Sequence, residues 1–232
     1  MPGVRSPFAL LAVLGALALL LLSGCGSSDD GSDATQAQTT AADAGPCTSV
    51  DAPAPKGQQH LKKPKGLLDP SKTWEVTFTT NCGSFTVRLD TVHAPKTAAS
   101  FASLAKQGLY DDLTFHRIAQ SFVIQGGDPL GTGSGGPGYT IVEKPPRDVK
   151  YWHGIVAMAK TATEPDGASG SQFFVVTAQD AQLPPQYALV GRVVKGLDVV
   201  DTIGLLPLQD PTSQDGPPAK PVVIESARLT SH

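Results

Sequence analysis

The chain has 232 residues, 40% of them hydrophobic and 17% charged, with 24 Gly, 20 Pro and a formal net charge of −3. That length suits one domain with extra chain attached, and the Gly and Pro load excludes a mostly helical bundle in favour of a loop-rich β protein. The mildly acidic balance excludes the basic stripe of a nucleic-acid binder, and three cysteines are too few for a disulfide-built scaffold.

The first element in chain order is a leader. Arg5 precedes an uncharged run from Phe8 to Leu22, shorter than the roughly 20 apolar residues a membrane span requires. A basic start, an apolar middle and small residues at the end mark 1–24 as a secretory signal peptide. The run closes on Leu22-Ser23-Gly24-Cys25, which resembles the lipobox of a bacterial lipoprotein. The resemblance implies that Cys25 becomes the first mature residue and carries acyl chains such as palmitate. Two or more chains make such anchoring stable, so the protein is expected to be exported and lipid-anchored to the outer face of the bacterial cell membrane.

From Gly26 to about Pro70 there is no Phe, Tyr or Trp, and Val50, Leu61, Leu67 and Leu68 are the only Leu, Ile or Val residues. Such a segment buries too little apolar surface to offset the entropy of ordering, so residues 25–70 are expected to be the lipidated cysteine and a disordered tether. With Cys25 taken by lipid, Cys47 can pair with Cys82 in an oxidising compartment. Two free thiols, or an intermolecular bond through Cys47, are the alternatives. Lys62-Lys63-Pro64-Lys65 reads as a solvated linker, with contact to anionic lipid or cell-wall polymer as the other possibility.

Residues 71–232 form the folded part, because every aromatic after Phe8 lies between Trp74 and Tyr187. Trp74, Val76 and Phe78 alternate with polar residues, as do Phe85, Val87 and Leu89, and Asn81-Cys82-Gly83 between them is turn chemistry. This pattern predicts an opening β-hairpin. Ala98, Phe101, Leu104 and Ala105 recur at helical spacing after Pro95 and before Gly108, predicting a helix over 95–107. Short apolar runs follow at 122–124, 155–158, 173–176, 188–194 and 222–224, separated by Gly- and Pro-rich loops. Many short strands around few helices indicate a barrel or sandwich.

The usual catalytic patterns are missing. Gly131-Thr132-Gly133-Ser134-Gly135-Gly136 matches G-x-G-x-x-G, but Pro137-Gly138 follows where a helix must open, so a flexible loop is the better reading. No G-x-S-x-G elbow, phosphate-binding loop or C-x-x-C occurs. The five His residues form no i, i+4 pair, so neither a metal nor a cofactor is expected. Asp111 and Asp112 read as a solvated loop.

Two segments carry unusual local chemistry: Phe115-His116-Arg117-Ile118 leading to Phe122-Val123-Ile124-Gln125-Gly126-Gly127-Asp128, and Gly170-Ser171-Gln172-Phe173-Phe174-Val175. If 121–125 is a strand, Phe122 and Ile124 share one face and Val123 and Gln125 the other, while Gln172 shares a face with Phe174. A mixed polar and apolar surface with a snorkelling Arg is the plain alternative. These motifs, in this order, resemble the cyclophilin-type peptidyl-prolyl cis–trans isomerases, and the likeness runs from about Trp74 to the end.

The resemblance implies a mainly β fold, an eight-stranded antiparallel β-barrel capped by two α-helices, the second near Leu197–Ile203. It implies an enzyme that favours the twisted X-Pro amide without breaking bonds. The untwisted amide faces a barrier of about 18–20 kcal/mol and turns over in tens to hundreds of seconds unaided. By resemblance Arg117 is the catalytic donor to the pyramidal nitrogen, Gln125 orients it and contacts substrate backbone, and Phe122, Val123, Phe174 and Leu183 hold the proline ring. Gln172 and the backbone at Ala159, Lys160 and Thr161 grip the flanking peptide, and Tyr187 stands where many members carry His. His116 is assigned to structure, since amide rotation needs no proton transfer.

Gln182 takes the place of a Trp associated with cyclosporin binding, so drug affinity is expected to be weak. Lys160 replaces a common Asn, Val123 replaces a longer Met, and the tract 183–186 lacks the usual Asp-Gly turn. The expected partners are exported proteins with X-Pro bonds and, through the lipid, the membrane; the expected state is a monomer. The alternative reading is a chaperone or envelope-assembly module that binds proline segments without turnover.

Overall fold

The computed structural model describes residues 45–232; the leader, Cys25 and the tether up to residue 44 lie outside the described residues. The opening hairpin pairs β1 (Trp74–Thr80) with β2 (Gly83–Leu89) in register from Glu75↔Arg88 to Thr80↔Gly83. Val76, Phe78, Phe85 and Val87 are buried, as the two-residue alternation requires. Helix α1 (Pro95–Lys106) begins on the expected proline and ends one residue early. Its first turn is capped from a distance, because the Glu143 carboxylate accepts the Lys96 and Thr97 N–H groups at 3.1 and 2.7 Å and the Thr97 hydroxyl at 2.8 Å. A carboxylate there satisfies orphan donors and meets the positive end of the helix dipole.

The remaining elements are β3 (Leu113–Thr114), β4 (Arg117–Ala119), β5 (Val123–Gly126), β6 (Ile141–Val142), β7 (Ile155–Met158), β8 (Ala168–Ser169), β9 (Phe173–Val176), β10 (Leu189–Lys195), α2 (Leu197–Gly204), β11 (Asp215–Gly216) and β12 (Val223–Ser231). Ten strands form one antiparallel sheet in the order β11-β4-β5-β9-β7-β10-β2-β1-β12-β3, and β6 and β8 make a separate ribbon. The expected eight strands are the eight longer members of this curled sheet; two-residue strands sit at its ends. The chain links the two sides of the sheet, since β3 at one end and β4, next to the end strand β11, are separated only by Phe115 and His116.

Phe78, Phe85, Phe101, Tyr110, Phe115 and Phe173 fill the interior with ring centroids 5.0 to 6.2 Å apart. All six are fully buried, each contributing about 1.5–3 kcal/mol. A smaller apolar cluster of Ala119, Val123, Tyr151, Ala157, Phe174 and Val176 lies apart from this core.

Residues 45–70 correct the expectation of a disordered tether. They form no helix or strand, yet they lie along the domain. The Thr48 N–H donates to Asn81 O (2.8 Å), Lys56 N–H to Pro129 O (2.9 Å) and Leu61 N–H to Pro137 O (2.9 Å). Lys56 Nζ reaches Gly108 O at 2.9 Å, Leu61 and Leu68 pack on the core, and Cys47 is joined to Cys82 by a disulfide. The segment is too polar to bury much against itself, but it packs on the domain instead, and the disulfide reduces the entropy lost on docking. In the described residues no helix is long and apolar enough to cross a membrane.

Candidate active site

The sheet register builds the site. Arg117 pairs with Gln125, Gln125 with Phe174, and Phe174 with Ala157, a row across β4, β5, β9 and β7 that spans about 14 Å at the usual strand spacing. The neighbouring row of Ile118, Ile124, Val175 and Val156 is fully buried in the core. One-residue alternation therefore sends Arg117, Gln125 and Phe174 to the side opposite the core. Phe122 departs from its expected face. It precedes β5 in a turn where Ser121 has φ 56°, so the alternation starts one residue later and Phe122 joins Val123 in the smaller cluster.

Arg117 is held from two sides. Its Nη1 donates to Gln125 Oε1 at 3.0 Å, and its Nε donates to Asp215 Oδ1 at 2.7 Å while Nη2 donates to Asp215 Oδ2. Gln125 Nε2 donates in turn to Gln172 Oε1 at 3.1 Å, and Gln172 Nε2 donates to the carbonyls of Gly133 (2.9 Å) and Gly135 (3.0 Å). The Gly-rich loop is thus a platform for Gln172. Asp128, 2% exposed, shapes it by accepting the N–H groups of Leu130 and Thr132 at 2.8 and 2.9 Å and that of Gly133. Gly127 is required beside it: at φ +84° an added Cβ would sit 2.5 Å from Ser171 O.

A hollow of about 130 Å³ is lined by Arg117, Phe122, Val123, Gln125, Ala159, Lys160, Phe174, Leu183 and Tyr187. All nine are residues that the family resemblance implied for the site. Thr161 and Gln172 line a second hollow of about 180 Å³, which shares Gln125, Ala159 and Lys160 with the first. The Ala159 N–H is committed to Gln172 O (2.9 Å) and the Thr161 N–H to Glu164 Oε2 (2.7 Å). Lys160 Nζ is drawn back to the carbonyls of Thr161 and Glu164 at 3.2 Å each and lies 5.8 Å from the Tyr187 ring centroid.

Tyr187 packs edge-on against Phe174, with centroids 5.4 Å apart. Its backbone is fixed by Tyr151, whose hydroxyl donates to Tyr187 O at 2.6 Å and accepts from Tyr187 N at 3.1 Å. Burial pushes the Tyr151 hydroxyl up to about 12, against the smaller lowering effect of that bond to Tyr187. Tyr151→Phe removes both bonds and is expected to cost about 1–3 kcal/mol of stability, read by urea denaturation; an unchanged midpoint would mean that the hydroxyl is not holding this loop.

Both ring nitrogens of His116 are buried and make no well-formed hydrogen bond, the Thr114 backbone offering only a weak contact. Burial lowers its pKa from the usual 6.5; the charge of Asp128 opposes this and that of Arg117 adds to it. The folded state therefore favours the neutral ring, and as pH falls below about 6.5 the unfolded chain takes up the proton first. Stability is expected to decline from that pH downward and to level off once the folded pKa is passed. Melting curves of wild type and His116→Gln between pH 7.5 and 5 test this; equal slopes would contradict it.

Asp215 and Tyr151 escaped sequence reasoning, and Asp128, though it closes the Gln-Gly-Gly-Asp motif, was given no role there. Asp128 had a signal, an acidic residue directly after Gly-Gly at the mouth of a loop. Asp215 had none, being 98 residues from Arg117. Among the described residues no three His, Cys, Asp or Glu side chains are grouped to hold a metal ion.

A curled antiparallel sheet with two helices thus sets a pinned guanidinium beside a hollow of mixed apolar and polar lining. Residues 75–229 match the family model "Cyclophilin type peptidyl-prolyl cis-trans isomerase/CLD", and the chain belongs to that family of isomerases. It is 39% identical over 159 residues to the peptidyl-prolyl cis-trans isomerase-like 1 of Neurospora crassa, covering 67% of this chain and 93% of that one. The mouse protein of the same name is 40% identical over 155 residues, covering 64% and 90%. The crystal structure of a Cryptosporidium parvum cyclophilin type peptidyl-prolyl cis-trans isomerase superposes with a TM-score of 0.62 at 30% identity, over 69% of this chain and 99% of that one.

Proposed function

We propose that this isomerase acts on X-Pro bonds of exported proteins, as a monomer held at the outer face of a bacterial membrane by lipid on Cys25. The proline ring occupies the hollow between Phe122, Val123, Phe174, Leu183 and Tyr187. Arg117 at its rim donates to the amide nitrogen as that nitrogen becomes pyramidal in the twisted state. A guanidinium suits this role because it keeps its protons at any physiological pH and because a donor already in place needs no reorganisation when the amide twists. The arrangement of Arg117 beside the hollow, held by Gln125, carries the reading. With the amides of Ala159 and Thr161 committed internally, carbonyl oxygens of that segment grip the flanking peptide. Gln172, with its amide hydrogens on the Gly-rich loop, steadies Gln125.

A solved structure that covers 68% of this chain, at 30% identity and a TM-score of 0.61, is described as the Cryptosporidium parvum enzyme in the presence of the dipeptide Ala-Pro, and this supports a proline subsite here. The Cys47–Cys82 disulfide supports an oxidising compartment. Two measurements test the proposal. Bacteria expressing the full chain with labelled palmitate should incorporate label in the wild type and not in Cys25→Ala. A secreted protein whose refolding is limited by proline isomerisation should refold faster with catalytic amounts of this protein. Acceleration only at stoichiometric amounts would instead favour the binding chaperone.

A further inference from the structure

We infer that Asp215 is a positioning residue for Arg117, an inference that rests on the catalytic reading of Arg117. A guanidinium has five N–H donors. Asp215 engages the one on Nε and one on Nη2, and Gln125 engages one on Nη1. Two remain, one on each terminal nitrogen. The bond to Gln125 alone fixes a point on the guanidinium and leaves its plane free to turn; the two-pronged carboxylate contact fixes the plane. That matters because a free Arg side chain spreads over many rotamers, and displacement of a reacting group by about 1 Å can cost as much as 10²-fold in rate.

Asp215 is itself anchored to the strand that carries Arg117. β11 pairs with β4 through Asp215↔Ala119 and Gly216↔Ile118, and the Gln120 N–H donates to Gln214 O at 2.8 Å. The Ser213 hydroxyl donates to Asp215 O (2.7 Å) and accepts the Asp215 N–H (3.1 Å). The carboxylate therefore stands on a short strand locked beside its target. Its side chain is 50% exposed and that of Arg117 36%, so solvent screens the pair and the donor keeps most of its pull on the substrate nitrogen.

Asp215→Ala is expected to lower kcat by about fivefold, the upper end for an exposed ion pair, with KM for an Ala-Pro peptide unchanged. Asp215→Asn, which retains one acceptor oxygen, should recover part of the loss. In ¹⁵N NMR spectra the Arg117 Nε–H signal, assigned by its absence in Arg117→Ala, should be sharp in the wild type and broadened in Asp215→Ala. In an Arg117→Ala background, Asp215→Ala should have no further effect. A fivefold loss that persists in that background, or a wild-type rate with an unchanged Nε–H signal, would overturn the inference. If Arg117→Ala alone keeps full activity while the signal still broadens in Asp215→Ala, positioning stands and the catalytic reading of Arg117 falls.

Discussion

An Arg117→Ala variant is expected to keep its fold and to lose about 10²- to 10³-fold in kcat/KM on an X-Pro peptide, the range for removing one preorganised donor. A hundredfold corresponds to about 2.7 kcal/mol of transition-state stabilisation. The fold should survive because Arg117 points away from the core: Ile118, its neighbour in the two-residue alternation, is the buried residue. Peptide affinity should change little, since the ring pocket of Phe122, Val123, Phe174, Leu183 and Tyr187 is left intact. Arg117→Lys should recover only a small part of the rate. An ammonium cannot reproduce the planar fork that meets Gln125 and both oxygens of Asp215 at once.

The second large effect is expected on stability. Replacing both Cys47 and Cys82 by Ser removes a cross-link across a sequence separation of 35 residues, which by loop-closure entropy costs about 3–4 kcal/mol. Guanidinium denaturation of the full chain, oxidised wild type against the double variant, measures it; equal midpoints would mean that the cross-link does not stabilise the fold. The loss should also be local. Freed at residue 47, the segment is held by backbone bonds at Thr48, Lys56 and Leu61, so hydrogen exchange at these amides should speed up more than in the core strands. The effect reaches the site, because Pro129 and Pro137 flank the loop on which Gln172 rests, and Gln172 is bonded to Gln125.

The site was largely legible in the sequence through its resemblance to the family, whose motifs are short and local. Arg117 and Gln125 stand opposite each other in one hairpin, and Gln172, just before the adjacent strand, and Phe174, within it, come from a second motif. The hollow's nine lining residues fall within motifs or at their matched positions. Asp215 was hidden because its role depends on a two-residue strand in a Pro- and Gly-rich loop with no periodicity to read. Tyr151 was hidden for a related reason: an aromatic in a short apolar stretch reads as core, and nothing in the sequence shows that its hydroxyl meets the backbone of Tyr187. β12 runs to Ser231, well past the apolar 222–224, because its outer half pairs with β1 while leaving polar residues exposed. Segment 45–70 departs from its composition, which disfavours self-burial, because its partner is the domain rather than itself.

The Arg117-lined hollow is proposed to lower the barrier to X-Pro rotation. This is tested most directly by exchange NMR on an Ala-Pro peptide, comparing cis–trans interconversion with the full-length wild type and with Arg117→Ala. Interconversion is expected to speed up from tens of seconds or longer to well below about a second with catalytic amounts of wild type, and to be slower by about 10²- to 10³-fold with the variant. Equal rates for the two proteins, whether both fast or both at the uncatalysed background, would contradict it.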